Sequence, residues 1–484
     1  MRLSTLAGEG ARILGTGEPE VRGLTADSRA VRAGDLFAAL PGSHTDGRRF
    51  VADALERGAV ALLGDASLAD WADRVSVVVD ANPRRRLAQM AARFYDRQPE
   101  LVAAVTGTNG KTSVAGFLRR IWEIAGLPAA SLGTLGVQPT GLGATCSLTT
   151  PDPVSLHETC AQLADAGVTH LVVEASSHGL SQYRLDGLSI HAAAFTNLSR
   201  DHFDYHGDRE NYFYAKARLF SELLRPGGHA VLNADIAEFD QLARICRQRG
   251  VAVIDYGRDA QDLVLLELTA DAEGIAMEFA CRGERQSCTL PLFGPFQAHN
   301  LLAALGLALA SGVSAEIATA TLTGLDGIPG RMQRVAVRED GAMAFVDYAH
   351  TPDALEQALR ALRAHLRGRL VLVFGCGGDR DRGKRPQMGR IADRLADLAI
   401  VTDDNPRSED AAAIRAEILA GMRGEVLEIG DRTEAIARGW SLLGPGDALL
   451  VAGKGHETGQ ILGDSVLPFD DAAILRGLAV ERSA

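Results

Sequence analysis

The segment that most constrains the fold is VTGTNGKTS at residues 105–113, which follows an apolar strand at 101–105 and opens an amphipathic helix. A strand, a glycine loop and a helix together are typical of phosphate binding, because backbone N–H groups and the positive helix end converge on phosphate oxygens. In this interpretation Lys111 contributes a charge and Thr112 a magnesium ligand. The loop is shorter than the general pattern, since Val105 occupies the place of its first glycine. A glycine-rich turn with an exposed lysine is the structural alternative.

Two further apolar strands end in polar groups. Glu174 ends the strand at 171–173, and the strand at 192–195 runs into NLSRDHFDYHG at 197–207. Because ligands bind at the carboxyl ends of parallel strands, Glu174 is predicted to hold magnesium. The segment that contains His202 is rich in groups that bind metals or transfer protons, and Lys216 follows it. Taken alone, Glu174 is equally well explained as a strand-end carboxylate satisfied by its surroundings.

Strands and helical segments alternate along the whole chain, which predicts an α/β protein. At 484 residues the chain exceeds the size of one hydrophobic core, and we expect three domains at residues 1–98, 99–330 and 331–484. The first is a small α/β domain. The second is a mostly parallel sheet around the phosphate loop, and the third, with strands at 370–374, 398–401 and 448–451, is a doubly wound, Rossmann-like domain.

Composition excludes several classes of function. The net charge of −12 opposes a broad nucleic-acid surface, which needs clustered Lys and Arg. Six scattered cysteines without a CxxC pair fit neither a zinc site nor a disulfide framework, and they favour a reducing compartment. The first 14 residues lack the apolar stretch of a signal peptide, and the apolar window at 301–310 is too short to span a bilayer. We therefore expect a cytoplasmic protein without a membrane span, and a monomer.

Several motifs in this order resemble the Mur ligase family. The central ones are TGTNGKT, the strand that ends in Glu174 and NLSRDHFDYHG. Others resemble the members that add the third residue of the peptidoglycan peptide: DSR at 27–29, GSHTDG at 42–47, LTTP at 148–151, EASSH at 174–178, HN at 299–300, GRM at 330–332, DYAHTP at 347–352, FGCGGDRD at 374–381, DNPR at 404–407 and AGKGHE at 452–457. Each motif is weak alone, and their order and spacing carry the resemblance.

The resemblance implies a set of site residues. For ATP these are Gly107, Thr108, Asn109, Gly110, Lys111, Thr112, Ser113, Asn300, Arg331 and Asp347. For a UDP-N-acetylmuramoyl dipeptide they are Ala26, Ser28, Ser43, His44, Thr45, Thr149, Thr150, Ser176, Gln182 and Arg184. For the incoming amino acid they are Arg380, Asp404, Asn405, Arg407, Gly453 and Glu457. The implied catalytic residues are Lys111, Glu174, His202 and Lys216, with Thr112, Glu174, His202 and a carbamylated Lys216 as magnesium ligands. An unmodified Lys216 that pairs with phosphate is the alternative.

The family's reaction is then the expected function: ATP converts a carboxylate into an acyl phosphate, which an amine attacks to form an amide, in a site closed by domain movement. The DNPR motif resembles members that use meso-diaminopimelate, since Arg407 suits its distal carboxylate and Glu457 its distal ammonium. The alternatives are an L-lysine-adding homologue, a folylpolyglutamate synthetase-like ligase, and a phosphate-loop protein that hydrolyses ATP without ligation. About a hundred residues with the DSR and GSHTDG motifs precede the phosphate loop, which argues against the second.

Overall fold

A computed structural model describes residues 1–15, 17–42, 45–141 and 148–481. The chain divides into two compact units: residues 1–255 with 303–314, and residues 256–302 with 315–484. Within the described ranges, no helix is long and apolar enough to cross a membrane.

The first unit begins with a five-stranded sheet in the order β1-β5-β4-β3-β2, in which only the β1–β5 pair is antiparallel. Its two faces carry separate apolar cores, one of which includes Leu36 and Leu87 and the other Phe37 and Leu62. Alternate residues of a strand face opposite sides, so neighbours such as Leu36 and Phe37 enter different cores. The elements are α1 (Leu3–Ala7), β1 (Arg12–Leu14), β2 (Gly23–Thr25), β3 (Asp35–Ala38), α2 (Val51–Glu56), β4 (Ala61–Gly64), β5 (Ser76–Val79) and α3 (Pro83–Tyr95).

The same unit continues into a second sheet, whose strands run in the order β11-β10-β6-β9-β7-β8. All of these pairs are parallel except β7–β8. The parallel arrangement brings the carboxyl ends of β6, β9 and β10 to one edge. The elements are β6 (Leu101–Thr106), α4 (Lys111–Ile124), β7 (Ala129–Gly133), β8 (Gly136–Gln138), α5 (Pro153–Asp165), β9 (His170–Glu174), α6 (Ser177–Ser181), β10 (Ile190–Phe195), α7 (Phe203–His206), α8 (Arg209–Arg218), β11 (Leu224–Asn233), α9 (Phe239–Gln248) and β12 (Ala252–Gly257).

The second unit contains an antiparallel meander of three strands, β13 (Leu263–Asp271), β14 (Gly274–Cys281) and β15 (Glu284–Leu290). Burial along β13 and β15 alternates, as expected when one face of an antiparallel sheet meets solvent. This meander was not predicted from the sequence. After it come α10 (Phe296–Ala310), whose residues from 303 onward belong to the first unit, and α11 (Ala315–Ala320). Helix α10 confirms the buried helix expected at residues 301–310.

The remainder of the second unit is a six-stranded sheet in the order β16-β17-β21-β18-β19-β20, parallel except for β16. Apolar cores cover both faces, as the doubly wound prediction requires. A two-stranded hairpin, β22–β23, follows β21. The elements are β16 (Gln333–Val337), β17 (Met343–Asp347), α12 (Pro352–Arg363), β18 (Leu370–Phe374), α13 (Lys384–Leu395), β19 (Leu398–Val401), α14 (Ala411–Leu419), β20 (Val426–Glu428), α15 (Arg432–Ser441), β21 (Ala448–Ala452), β22 (Gly459–Leu462), β23 (Ser465–Pro468) and α16 (Asp471–Glu481).

Candidate active site

The phosphate loop connects β6 to the amino end of α4, as the sequence predicts. Gly107 has φ 141°, and a Cβ atom there would lie 1.9 Å from the Thr196 hydroxyl, so only glycine fits. Gly110 caps α4 with φ 90°. The loop is held against the end of β10, because Asn197 accepts a hydrogen bond from the Asn109 N–H at 3.0 Å. Ser113 is buried in the first turn of the helix.

Two lysines converge on one carbonyl of this loop. Lys111 Nζ donates to Gly107 O at 2.9 Å and to Thr108 O at 2.8 Å. Lys216 Nζ, from α8, donates to the same Gly107 O at 2.8 Å. Lys216 is 1% exposed, and burial lowers its pKa well below the ordinary lysine value, with a further lowering by the charge of Lys111. The two lysines are thus placed where phosphate oxygens would meet the loop, and Lys216 favours its neutral form.

Thr112 and Glu174 also meet at this edge of the sheet. The Thr112 hydroxyl donates to Glu174 Oε2 at 3.0 Å, and Glu174 is 2% exposed. Thr134, just after β7, supplies two more donors: its N–H to Oε1 at 2.9 Å and its hydroxyl to Oε2 at 3.0 Å. Three donors hold the carboxylate in one orientation, which offsets the cost of burying it.

Five residues predicted to bind the UDP substrate lie together beside Glu174. Thr150 donates to Glu174 O at 2.7 Å and lies 2.9 Å from the Ser176 hydroxyl. Arg184 donates to Thr150 O at 2.6 Å and to Gln182 Oε1 at 2.8 Å. Thr149 completes the group, since its hydroxyl lies 3.3 Å from that of Thr134. The structure therefore joins this predicted set directly to the Glu174 end of β9.

Tyr212 of α8 lies beside the histidine-rich segment at residues 197–207. Its hydroxyl lies 3.2 Å from Thr108 Oγ1, and Lys216 Nζ lies 4.6 Å from its ring centre. His202 lies 6.4 Å from the same ring and 4.7 Å from the His178 ring, with a side chain that is 46% exposed. Its φ of 53° is uncommon for a residue other than glycine. Tyr212 and His178 were not predicted as part of the site.

The N-terminal candidates lie in loops after two parallel strands. Ala26 and Ser28 follow β2, and Thr45 follows β3. Thr45 O accepts a hydrogen bond from the Gly42 N–H at 2.9 Å. Ser43 and His44 lie outside the described residues. The strands are paired in register, so these loops share the carboxyl edge of their sheet.

Three predicted nucleotide-binding residues belong to the second unit. Asn300 is buried and donates to Gln297 Oε1 at 3.0 Å. The Arg331 guanidinium lies 4.7 Å from the Tyr348 ring centre. Asp347 ends β17 and accepts backbone N–H bonds from Met332 at 2.6 Å and Ala349 at 2.9 Å. Burial raises the pKa of Asp347, against the opposing effects of Arg331 and the two N–H groups.

The predicted amino-acid pocket also lies in the second unit, between the loops after β19 and β21. Asn405 Nδ2 donates to Glu457 Oε2 at 2.9 Å. Arg407 donates to Gly378 O at 2.7 Å and has φ 55°, a strained backbone held by the hairpin through bonds with Ile461 and Gly463.

The remaining pocket residues share these loops. Gly453 has φ 119°, and a Cβ atom there would lie 2.5 Å from Asp404 Oδ2. Arg380 is exposed, and its guanidinium donates a hydrogen bond to the neighbouring Asp379 O at 3.2 Å. Asp404 and Asn405 therefore lie against Gly453 and Glu457, Arg407 lies on the same loop as Asn405, and Arg380 lies within the loop between β18 and α13.

The Thr112 and Glu174 side chains are the candidate magnesium ligands at this edge of the sheet. In the part of the chain that the structure describes, no three His, Cys, Asp or Glu side chains are grouped as a metal site. Magnesium does not need such a group, because it usually takes one or two carboxylates together with substrate phosphates and water. The oxygens of Thr112 and Glu174 at the end of the phosphate loop fit that donor set.

Comparisons with known proteins agree with this architecture. Family models match the chain in three places: the Mur ligase family catalytic domain at residues 20–95, the Mur ligase middle domain at 105–308 and the Mur ligase glutamate ligase domain at 330–455. The phosphate loop falls in the match to the middle domain, and the six-stranded sheet of the second unit falls largely in the match to the glutamate ligase domain. The chain belongs to the Mur ligase family.

Two relatives and one solved structure are similar to this chain over nearly their whole length. A Bradyrhizobium diazoefficiens protein is 50% identical over the full length of both chains, and a Brucella melitensis protein is 52% identical over 94% of this chain and 93% of its own. Both are named UDP-N-acetylmuramoyl-L-alanyl-D-glutamate--2,6-diaminopimelate ligase. A solved structure of a ligase with that name superposes with a TM-score of 0.72, at 34% identity over all of both chains.

A more distant solved structure is relevant to one alternative. Mycobacterium tuberculosis folylpolyglutamate synthase complexed with ADP has a TM-score of 0.62 at 20% identity, and it covers 76% of this chain and 91% of its own. At that identity the likeness shows the fold alone.

Proposed function

We propose that this chain is an ATP-dependent ligase that joins meso-2,6-diaminopimelate to UDP-N-acetylmuramoyl-L-alanyl-D-glutamate, which adds the third residue of the peptidoglycan peptide. The main observation in its favour is the buried pair of Thr112 and Glu174 beside the phosphate loop. The hydroxyl of Thr150, one of the residues assigned to the UDP substrate, donates a hydrogen bond to the carbonyl oxygen of Glu174. The full-length similarity to ligases with this name supports the choice of substrates.

The first step activates a carboxylate. An oxygen of the substrate carboxylate attacks the γ-phosphorus of ATP, ADP leaves, and an acyl phosphate forms. Residues 107–113 hold the phosphates through backbone N–H groups, and Lys111 turns from its loop carbonyls to the γ-phosphate. Magnesium, bound by Thr112 and Glu174, would neutralise charge on the phosphate oxygens. Asn300, Arg331 and Asp347 are assigned to the nucleotide from the family motifs.

Lys216 is proposed to carry a carbamate. A lysine must be neutral to react with carbon dioxide, and burial beside Lys111 favours the neutral amine. The reaction joins the amine nitrogen to the carbon of carbon dioxide and releases a proton. It turns a cation into an oxygen ligand of the kind that magnesium prefers, with His202 as its partner. The bond from Lys216 to Gly107 O fixes the unmodified amine at the loop.

The UDP substrate is assigned to two places. Ala26, Ser28, Ser43, His44 and Thr45 are proposed to hold the nucleotide part. Its peptide carboxylate is proposed to approach Glu174 beside the cluster of Thr149, Thr150, Ser176, Gln182 and Arg184. Arg184 is suited to a carboxylate because its guanidinium keeps its charge, although burial lowers its pKa.

The second step forms the amide. The neutral amine of the amino acid attacks the acyl phosphate, and the tetrahedral intermediate expels inorganic phosphate. Asp404, Asn405, Arg407, Gly453, Glu457 and Arg380 are proposed to bind diaminopimelate. Arg407 is assigned to its distal carboxylate and Glu457 to its distal ammonium, because a guanidinium pairs with a carboxylate and a carboxylate with an ammonium group.

We also propose that the protein is a cytoplasmic monomer, with domain boundaries at 98/99 and 330/331. Six scattered cysteines without a CxxC pair suit a reducing compartment and support the cytoplasmic location. Size-exclusion chromatography with light scattering tests the monomer directly.

Phosphate release from the purified protein tests the proposed function. Release is expected only when ATP, magnesium, the UDP-muramoyl dipeptide and diaminopimelate are all present. Release with ATP alone would favour a protein that only hydrolyses ATP. Release with dihydrofolate and glutamate, and none with the UDP dipeptide, would favour a folylpolyglutamate synthetase-like ligase.

A further inference from the structure

Lys454 is a charged side chain that the reaction scheme above does not use. It lies between Gly453 and Gly455 in the loop after β21, and its side chain is 0% exposed. Its Nζ donates to Asn405 Oδ1 at 2.8 Å and lies 3.3 Å from Glu457 Oε2. Burying an ammonium group is costly without partners, and both partners here are candidate diaminopimelate ligands.

These contacts fix the orientation of the Asn405 amide. Its Oδ1 accepts from Lys454 Nζ and also from the Ile461 N–H at 3.0 Å. With two donors on the oxygen, the amide nitrogen must face the other way, and Nδ2 donates to Glu457 Oε2. Lys454 and the Ile461 N–H together therefore set which end of the Asn405 amide meets Glu457, and Lys454 is the only one of these two donors that also contacts Glu457.

Glu457 is oriented by the same contacts. Among the described residues, its carboxylate accepts hydrogen bonds from Asn405 and Lys454, and both fall on Oε2. The carboxylate is 33% exposed, so solvent would otherwise allow it several rotamers. Holding Oε2 leaves Oε1 to accept a hydrogen bond from a ligand.

We propose that Lys454 is a positioning residue that sets the enzyme's selectivity for an amino acid with a distal ammonium group, by holding Asn405 and Glu457. This inference rests on the proposed function, because it assumes that diaminopimelate occupies this pocket. Two physical effects oppose each other. Loss of Lys454 would leave the pocket more negative, which by itself attracts an ammonium, and it would also free Glu457 to turn away. We expect the loss of a fixed Glu457 orientation to weaken ammonium binding more than the added negative charge strengthens it.

The test uses Lys454→Met and three amino acids in the full-length protein. Diaminopimelate has both distal groups, L-lysine has only the ammonium, and L-2-aminopimelate has only the carboxylate. In Lys454→Met, the preference in kcat/KM for diaminopimelate over 2-aminopimelate should fall about tenfold or more. The preference for diaminopimelate over L-lysine should not change, because both of these substrates carry the distal ammonium and both would lose its contact with Glu457. The KM for ATP should not change.

Ratios of kcat/KM compare two substrates on the same enzyme, so they do not depend on how much of a sample is folded. Arg338→Met is the matched control, because it removes a mostly buried cation paired with Asp340 at the opposite edge of the sheet. It should leave both ratios unchanged. If Lys454→Met does not fold, Lys454→Gln keeps a donor and removes the charge, and its ratio should fall in the same direction.

Different results would contradict the positioning role of Lys454 and the proposed function. An unchanged or increased preference for diaminopimelate over 2-aminopimelate in the Lys454 variant would overturn the positioning role. Wild-type protein that releases no phosphate with diaminopimelate and the UDP dipeptide would instead overturn the proposed function.

Discussion

The pairing of Thr112 with Glu174 leads to the sharpest mutational prediction. Thr112→Val keeps the shape of the side chain and removes the hydroxyl that donates to Glu174 Oε2 at 3.0 Å. A hydrogen bond to a charged group contributes about 1.5–3 kcal/mol. Glu174 keeps both bonds from Thr134, so we expect a loss of about 1–2 kcal/mol, which lowers Tm by about 3–6 °C in a unit of this size.

The loss of activity should be much larger than this loss of stability implies. The same hydroxyl is proposed to bind magnesium beside the phosphates, where one missing ligand costs about a hundredfold or more in kcat. Phosphate release is measured at 25 °C, and a thermal melt of the same sample shows that the variant is folded there.

Thr159→Val is the matched control for this variant. Thr159 is fully buried in α5, and its hydroxyl has no hydrogen-bond partner among the described residues. Its replacement should leave activity unchanged and should leave Tm equal or higher, because an unsatisfied polar group is removed. A folded Thr112→Val protein with turnover within about threefold of wild type would refute the role assigned to Thr112.

The remaining predictions concern two lysines and one arginine. Lys111→Ala should lose activity by about a hundredfold or more with little change in Tm, because it removes phosphate charge compensation and no core packing, and near-normal turnover would count against the phosphate loop. Lys216→Ala should be strongly impaired and partly rescued by short-chain carboxylates; mass spectrometry that finds unmodified Lys216 in active, magnesium-loaded enzyme would contradict this. Arg407→Ala should lose most of the preference for diaminopimelate over L-lysine, about a hundredfold in wild type, as measured by kcat/KM for each; an unchanged preference would exclude the role of Arg407.

The phosphate-loop edge of the site was predictable from the sequence. Thr112 follows a glycine loop after one strand and Glu174 ends another, and parallel strands bring such ends together. The strands around them, β6, β9 and β10, were predicted because they are short, continuous apolar runs. Thr134 was missed, although it also follows a buried strand, because one threonine after a glycine gives no motif.

Other features depend on tertiary packing and have no local signal. A lysine between two glycines normally indicates an exposed turn, yet Lys454 is buried by elements that are distant in sequence. Tyr212 lies on a helix whose hydrophobic pattern is weak, so nothing local indicated that it would contact Thr108 and Lys216. The β13–β15 meander was missed because its strands alternate polar and apolar residues, unlike the continuous apolar strands of the parallel sheets.

Identification of the ligation product tests the central claim most directly. The purified protein is given ATP, magnesium and UDP-N-acetylmuramoyl-L-alanyl-D-glutamate, with meso-diaminopimelate and L-lysine at equal concentration, and the UDP-linked product is analysed by mass spectrometry. The account predicts a tripeptide product that contains diaminopimelate, with the lysine product lower by about a hundredfold. A product that contains mainly lysine, or no ligated product while ATP is consumed, would contradict it.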